Sequence, residues 1–238
     1  MTRFRRLLLT NDDGIHAPGL AALERVCARF ADEIVTVAPA EPASQVGHRV
    51  TTHELMPVAE HPPGRRYAVH GSPADCVRVA LKSLLHRAPP DFVVSGINHG
   101  GNLGRHDLYI SGTVAAAREA AFHGLPAAAV SHFLRAGLAL DWSVAENRAR
   151  LALEQLFSEP LADGELWNIN LPHLPPGSPE PQLRHCESER HPLEVSFERE
   201  GDDGPFRYTG RYHQRKHNGV SDVAVCFGGD IAVTRVAL

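Results

Sequence analysis

Short apolar runs alternate along this chain with longer segments in which apolar residues recur three and four positions apart. The run at residues 6–10 ends in Asn-Asp-Asp-Gly, and helical spacing begins after Pro18. Residues 34–38 (IVTVA) form a second, almost continuous apolar run, which is typical of a strand buried on both faces of a parallel sheet. The pattern therefore predicts a strand, a polar loop, a helix and a second strand.

The alternation of strands and helices continues to residue 171. Ser72 has the features of an N-cap, because proline follows at the first helical position and Asp75 stands three residues after the cap. Further strands are predicted at 91–95, 127–131 and 166–171, and further helices at about 111–123 and 144–157. This regular order predicts an α/β fold with a doubly wound, mostly parallel sheet.

The composition of the sequence changes at Pro172, after which prolines, charged residues and short β-like runs dominate. Those runs lie at 194–197, 206–212, 223–227 and 231–236, and two β-rich stretches occur earlier, at 50–58 and 67–70. We interpret the chain as one domain, 1–238, in which residues 172–238 form an appended C-terminal β region.

Composition places the chain among ordinary globular proteins. Of its 238 residues, 43% are hydrophobic and 22% are charged, which argues against disorder or a fibrous rod. The net charge is −4 and the basic residues are scattered, so the chain has no electrostatic footprint for duplex nucleic acid. The four cysteines are far apart and form no zinc or redox motif, and the first apolar run is too short for a signal peptide or a membrane span. We expect a cytoplasmic protein with reduced thiols.

Two adjacent carboxylates, Asp12 and Asp13, follow the first predicted strand, at the edge where open α/β sheets bind their ligands. Neighbouring carboxylates repel each other unless a cation compensates them. Hard oxygen ligands of this kind suit Mg²⁺ or Mn²⁺. Because Asn, Asp and Gly are also the usual residues of turns and helix caps, a simple turn remains the alternative.

A glycine-rich loop at residues 96–104 follows the predicted strand 91–95, and so belongs to the same edge of the sheet. Its four glycines allow the backbone to approach a ligand, while Asn98 and Asn102 offer groups for a metal or a phosphate. The loop matches neither the dinucleotide fingerprint nor the P-loop of nucleoside triphosphatases. A solvated loop is the alternative. His99 and His106 flank the loop and are the histidines that we place near the site.

The next predicted helix opens with Ser111, Gly112 and Thr113. A helix N-terminus offers free backbone amides and the positive end of the helix dipole to an anion, and the two hydroxyls strengthen a phosphate-binding interpretation. Plain capping by Ser111 is the alternative, since serine is a favoured N-cap residue.

Five motifs, in this order, resemble the SurE family of survival proteins: TNDDGIHAPGL, APAEPAS, HGSPADCV, SGINHGGNLG and SGTVAAAREA. The resemblance is strong over residues 7–128 and looser in WNINLP and SDVAVCFGGDIAVTRV. It implies a Rossmann-like core and hydrolysis of nucleoside 5′-monophosphates, in some members also of 3′-monophosphates and short polyphosphate. It further implies one divalent cation per subunit, Mg²⁺ or Mn²⁺, and homodimers or homotetramers that exchange C-terminal elements.

By the same resemblance each motif residue receives a role. The implied metal ligands are Asp12, Asp13, Ser44 and Asn98, and the role of Ser44 depends on the resemblance alone. The implied catalytic set is Asp12, Asp13, Asn102 and Ser111, and the substrate-binding set is Asn11, Gly14, Asn102, Ser111, Gly112 and Thr113.

The sequence departs from the family pattern in three places. Gln45 stands where family members commonly have Gly, and Ile110 where they have Tyr. The chain also stops at Leu238, shortly after its last predicted strand, whereas relatives usually continue into a helix that embraces a neighbour. This third departure puts the exchanged arm in doubt.

The predicted mechanism is in-line attack by a water molecule on a metal-bound phosphate, with direct attack by an aspartate as the alternative. His99 and His106 are the candidates for the general acid. A receiver domain also carries an Asp pair, but the expected acceptor Asp and Lys at later strand ends are missing. A haloacid-dehalogenase-type phosphatase needs one residue between its two aspartates, whereas the pair here is adjacent. The preferred base and the choice of 5′ or 3′ phosphate stay open.

Overall fold

Helices flank a nine-stranded sheet in the computed structural model, which describes residues 2–62 and 64–238. In that part of the chain the strands are β1 (Phe4–Thr10), β2 (Ala31–Pro39), β3 (Val58–His61), β4 (Arg66–Val69), β5 (Phe92–His99), β6 (Ala127–His132), β7 (Glu165–Leu171), β8 (Leu183–His185), β9 (Phe197–Arg199), β10 (Phe206–Tyr208) and β11 (Ile231–Ala237). The helices are α1 (Pro18–Cys27), α2 (Pro73–Val79), α3 (Gly104–Ile110), α4 (Gly112–Phe122), α5 (Trp142–Leu156) and α6 (Asp222–Gly228). A π-helical turn, Ala80–Leu84, continues α2.

The order of strands across the sheet is β3-β4-β2-β1-β5-β6-β7-β11-β8. The six strands from β4 to β7 run parallel, whereas β3 and β11 pair antiparallel with β4 and β7. After β1 the chain builds the sheet in one direction, and it then returns to the other side of β1 with β5. The prediction of a doubly wound, mostly parallel α/β sheet is confirmed, and its topological switch point lies between β1 and β5.

Both faces of the sheet are covered, which explains the uninterrupted apolar runs of the parallel strands. In β1, Leu7 and Leu9 belong to the core under α1 and α5, whereas Leu8 belongs to the core on the opposite face, under α2 and α4. All three are fully buried. Helix α4 is buried along nearly its whole length, and its alanines allow it to pack closely against both α2 and the sheet.

The predicted strand at 223–227 is wrong, because these residues belong to helix α6. Ser221 is its N-cap and accepts a hydrogen bond from the Ala224 amide at 3.5 Å, and Gly229 ends the helix in the left-handed conformation with φ 104°. Both capping residues are visible in the sequence. The short apolar run between them resembled a strand because it contains two valines and a phenylalanine, residues that favour strands.

The predicted β-rich stretch at 50–58 is also wrong over most of its length, since β3 begins only at Val58. Thr51 donates its backbone amide and its hydroxyl to the Asp75 carboxylate, at 2.9 and 2.8 Å. A side chain of α2 therefore takes the place of a neighbouring strand as hydrogen-bond partner.

Strand β5 extends to His99, into the segment that was predicted to be a glycine-rich loop. The pairing with β6 shifts register between Ser95 and Asn98, and a Cβ on Gly96 would lie 2.2 Å from the Val130 carbonyl oxygen. Glycine at this position is what allows the two backbones to approach so closely.

The C-terminal segments occupy two places. Strands β8 and β11 extend the main sheet beyond β7, whereas β9 and β10 form a separate two-stranded hairpin that a 3-10 turn, Tyr212–Gln214, follows. None of the helices in the described part of the chain is long and apolar enough to cross a lipid bilayer.

Candidate functional site

A cleft of about 660 Å³ opens at the carboxyl ends of β1 and β5, at the topological switch point of the sheet. On its sheet side the lining includes the four implied metal ligands and two of the implied phosphate-binding residues: Asp12, Asp13, Ser44, Asn98, Asn102 and Ser111. His99 and His106 also line this cleft. The structure thus brings together residues that are up to 99 positions apart in sequence, as the motif-based prediction requires.

Asp12 is 5% exposed and is held from two sides by the start of α4. The Thr113 hydroxyl donates to its Oδ1 at 2.5 Å, and a Cβ on Gly112 would lie 2.8 Å from the Asp12 Cβ. Burial, and after it the charge of Asp13, raises the pKa of Asp12 to about 6, against the opposing hydrogen bond from Thr113. A nearby cation would relieve this unfavourable burial of negative charge.

Asp13 and Asn98 connect the ends of the two strands that meet at the switch point. The Asp13 Oδ2 accepts a hydrogen bond from the His99 backbone amide at 3.0 Å. The Asn98 side-chain amide donates through Nδ2 to the Gly100 carbonyl at 2.9 Å, which leaves Oδ1 to serve as an acceptor or a ligand.

Ser44 lies on the loop after β2, which two backbone hydrogen bonds fix beside the site. The Ala43 amide donates to the Asp12 carbonyl at 2.7 Å, and the Gly47 amide donates to the Ile110 carbonyl at 3.0 Å. Gln45, which follows Ser44, has φ 58°. This left-handed conformation favours glycine, so it gives a physical reason for the glycine of the family pattern.

The donor chemistry of these residues fits a hard divalent cation. Two carboxylates, a hydroxyl and an amide oxygen are the kind of ligands that Mg²⁺ and Mn²⁺ accept, with water completing the shell. Among the described residues no group of three or more His, Cys, Asp or Glu side chains has a metal-binding arrangement.

Thr10 and Ser95 are paired neighbours in β1 and β5, just before the site. Both bury hydroxyls that have no partner within the described chain.

Asn102 is held by a buried polar network that sequence reasoning missed. Its side-chain Nδ2 donates to the Ser131 hydroxyl at 2.7 Å, its backbone amide donates to the Asn170 Oδ1 at 2.8 Å, and its carbonyl accepts from the side chains of Asn168 and Asn170, both at 2.9 Å. A signal was available in WNINLP, because two asparagines at alternate positions of an apolar strand lie on the same face.

Ser111 caps α4, as the alternative interpretation predicted. Its Oγ accepts a hydrogen bond from the Val114 amide at 3.1 Å, and the residue is 5% exposed. Ser111 also lines the cleft, so the first-turn amides of α4 begin at the site.

Four of the residues that were predicted to bind the substrate are not among the residues that line the cleft. Asn11 and Gly14 bond to each other, with the Asn11 Nδ2 donating to the Gly14 carbonyl at 2.9 Å and its Oδ1 accepting from the Gly14 amide at 3.2 Å. Gly112 and Thr113 contact Asp12, as described above. In this arrangement the four residues shape the loop and hold the carboxylate.

The other wall of the cleft was not predicted from the sequence. Leu193, Val195, Tyr208 and Tyr212 contribute to it, and the Tyr212 hydroxyl donates to the Asp107 Oδ2 at 2.6 Å. Arg215 donates to the same oxygen at 3.0 Å, and its side chain is 1% exposed. This buried ion pair attaches the segment after the β9–β10 hairpin to the start of α3, over a sequence separation of 108 residues.

A family model described as survival protein SurE matches residues 7–192. This chain belongs to the SurE family. A protein of Nostoc sp. named as a candidate 5′-nucleotidase is 44% identical over 230 residues, which are 97% of this chain and 98% of that protein. The 5′-nucleotidase SurE of Cereibacter sphaeroides is 46% identical over 181 residues, 71% of this chain and 68% of its own length. The crystal structure of a SurE protein from Aquifex aeolicus has a TM-score of 0.82 at 27% identity and covers 98% of this chain and 93% of its own.

Proposed function

We propose that this chain is a 5′-nucleotidase that hydrolyses nucleoside 5′-monophosphates to nucleoside and phosphate. The observation that carries the proposal is the cleft at the switch point, where the Asp12–Asp13 pair meets the N-terminus of α4. Carboxylates suit a cation and a helix N-terminus suits an anion, so the arrangement has complementary places for a metal and a phosphate. The names of the SurE relatives support the same activity.

The proposal includes a divalent cation, Mg²⁺ or Mn²⁺, bound by Asp12, Asp13, Ser44 and Asn98. Such a cation, when bound, would neutralise charge on the phosphate and lower the pKa of a coordinated water. Thr113 fixes the Asp12 carboxylate through its hydroxyl, and the His99 amide fixes Asp13. Since each carboxylate already has one oxygen engaged in this way, we favour water over an aspartate as the nucleophile.

The remaining side chains act on the phosphate and the leaving group. The Ser111 hydroxyl at the N-terminus of α4 and the Asn102 side chain stabilise the phosphoryl oxygens, because donors fixed before the reaction lower the barrier without reorganising. The departing alkoxide needs a proton, and His99 and His106, which both line the cleft, are our candidates to donate it.

We extend the proposal to 3′-monophosphates and short polyphosphate as secondary substrates, because the resemblance of the motifs to the SurE family implies them. We also propose that the chain forms a homodimer or homotetramer. Tyr109 is 71% exposed and Phe122 is 60% exposed, and both line a second cavity of about 770 Å³ beside β11. Apolar surface of this kind favours association with a second copy.

The test is phosphate release by the purified protein from a panel of nucleoside 5′- and 3′-monophosphates and a short polyphosphate. Each substrate is assayed with Mg²⁺, with Mn²⁺ and with excess EDTA. We expect turnover of 5′-monophosphates that either cation supports and that EDTA abolishes. Full activity in EDTA would contradict the metal site, and absence of turnover with every cation would contradict the enzyme function. Light scattering at several concentrations tests the oligomer.

A further inference from the structure

The two walls of the cleft differ in chemistry. The sheet side carries carboxylates, amides and two serines, whereas the lining from the hairpin side consists of Leu193, Val195 and two tyrosines. Phosphate and metal binding account for the polar side. The apolar and aromatic side has no role in that chemistry, and it faces the same space.

Tyr208 is the aromatic side chain of this wall that is available to a ligand. It is the last residue of β10, is 50% exposed, and packs edge-on against its cross-strand partner Phe197, with ring centroids 5.5 Å apart. A Cβ on Gly210 would lie 2.1 Å from the Tyr208 hydroxyl oxygen, so the glycine leaves the space in which the ring lies. Phe197 thus packs against the Tyr208 ring while half of the tyrosine side chain remains accessible.

Tyr212, in contrast, is fixed in place. Its hydroxyl donates to the buried Asp107, and burial raises its pKa above the usual range. Arg215 packs over its ring at 5.0 Å and pairs with the same carboxylate. This anchor begins four residues after Tyr208, so the hairpin is tied to the body of the protein next to the tyrosine.

We propose that Tyr208, flanked by Leu193 and Val195, is the surface on which the nucleobase of the substrate stacks. The inference rests on the proposed function, because a phosphate bound at the polar side leaves the nucleoside to extend along the cleft. A planar base presents a π-face whatever its identity, so stacking on a tyrosine tolerates all bases. We therefore expect nucleoside monophosphates to be bound with little preference for the base. Contacts on the hairpin side of the cleft should affect KM more than kcat.

The experiment compares AMP, which has a base, with ribose 5-phosphate, which has the same phosphate and sugar but no base. Each is measured with wild type and Tyr208→Ala, using ribose 5-phosphate as a substrate or as a competitive inhibitor of AMP hydrolysis. We expect KM for AMP to rise about tenfold in Tyr208→Ala, in the range measured for loss of a base-stacking aromatic. The affinity for ribose 5-phosphate should change less than twofold.

Phe206→Ala is the matched control, because Phe206 lies on the same strand and is 67% exposed but is not part of the cleft lining. It should leave both substrates unaffected, and Tyr208→Trp should restore KM for AMP. Equal loss of affinity for AMP and ribose 5-phosphate, or a wild type that does not distinguish them, would overturn the stacking proposal and leave the 5′-nucleotidase proposal standing. A wild type that turns over no nucleoside monophosphate would overturn both.

Discussion

The two sides of the cleft are built in different ways. On the sheet side, Asp12, Asn102 and Ser111 are each at most 7% exposed and bond to residues of the same parallel core. On the hairpin side, Val195 and Tyr208 are at least half exposed, and the segment is joined to the core through the buried pair of Asp107 and Arg215. The groups that we assign to catalysis lie on rigid elements of the core. The groups that we assign to recognition of the nucleobase lie on the peripheral segment that contains the β9–β10 hairpin.

The largest expected effect of a single change is on the sheet side. Asp13→Asn keeps an oxygen that can accept from the His99 amide but removes a charge from the proposed metal site. We expect kcat/KM for AMP to fall at least a thousandfold, about 4 kcal/mol of barrier, with little loss of fold because repulsion from Asp12 is relieved. Steady-state kinetics over a Mg²⁺ titration, together with thermal melting, measures both. Asp163→Asn, at an exposed and distant carboxylate, is the control, and an Asp13 variant within tenfold of wild type would contradict the metal site.

The second prediction tests the anchor of the hairpin side. Asp107→Asn removes the charge that compensates the buried Arg215, and an unpaired buried charge costs about 4 kcal/mol of folding stability. We expect a lower denaturation midpoint and faster proteolysis within residues 193–216. Asp203→Asn removes a partner of Arg199 that is fully exposed and 3.9 Å away, so its effect should be negligible. Equal stability of the two variants would show that the hairpin does not depend on this anchor.

The third prediction separates capping from phosphate binding at Ser111. Capping alone would make Ser111→Ala cost about 1 kcal/mol of stability and leave turnover near normal. A hydroxyl that also contacts the phosphoryl group would in addition reduce kcat/KM about a hundredfold, about 2.7 kcal/mol. Ser72→Ala is the matched control, because Ser72 caps α2 and is not among the cleft-lining residues. If both variants melt lower with unchanged kinetics, Ser111 is only a cap.

Local patterns were sufficient to predict the parallel core. The apolar runs at 7–9 in β1 and 34–38 in β2 occur because both faces of the sheet are covered there, and the capping box of Ser72 and Asp75 marks the start of α2. One error occurred where a tertiary contact decides the structure, and another where two local helix caps were overlooked. Thr51 bonds to a helix side chain and therefore does not join a strand, and the apolar run 223–227 is helical between its caps.

The candidate site divides in the same way. Asp12 and Asp13 follow the end of β1, Asn98 lies near the end of β5 and Asn102 follows it, so these residues share one edge because the two strands are parallel. Ser44 carries no such signal, and its place at the site depended on the family resemblance. The hairpin side of the cleft could not be predicted from the sequence. Tyr208 is held beside the cleft by the ion pair of Asp107 and Arg215, which joins residues 108 positions apart.

The last effect is on stability at low pH and concerns His132, a residue at the end of β6 that is 1% exposed and pairs with His99 of β5. Burial, and after it the neighbouring His173, lowers the pKa of His132 to about 4. Arg148 and His99 add to this effect, while a hydrogen bond to the Leu171 carbonyl opposes it. The interior of the sheet side therefore contains a neutral imidazole.

Because the folded-state pKa of His132 lies below the usual value of about 6.5, the unfolded chain takes up this proton first as the pH falls. Its contribution to stability is complete above pH 6.5, is lost progressively between pH 6.5 and 4, and amounts to about 3 kcal/mol. His132→Gln, which cannot titrate, should reduce the loss of unfolding free energy over that interval by this amount, as measured by urea denaturation at several pH values. His86→Gln, at an exposed histidine, should leave the pH dependence as in wild type. Parallel curves of unfolding free energy against pH for wild type and His132→Gln would contradict the prediction. They would show that the His132 imidazole titrates in the folded protein as it does in the unfolded chain.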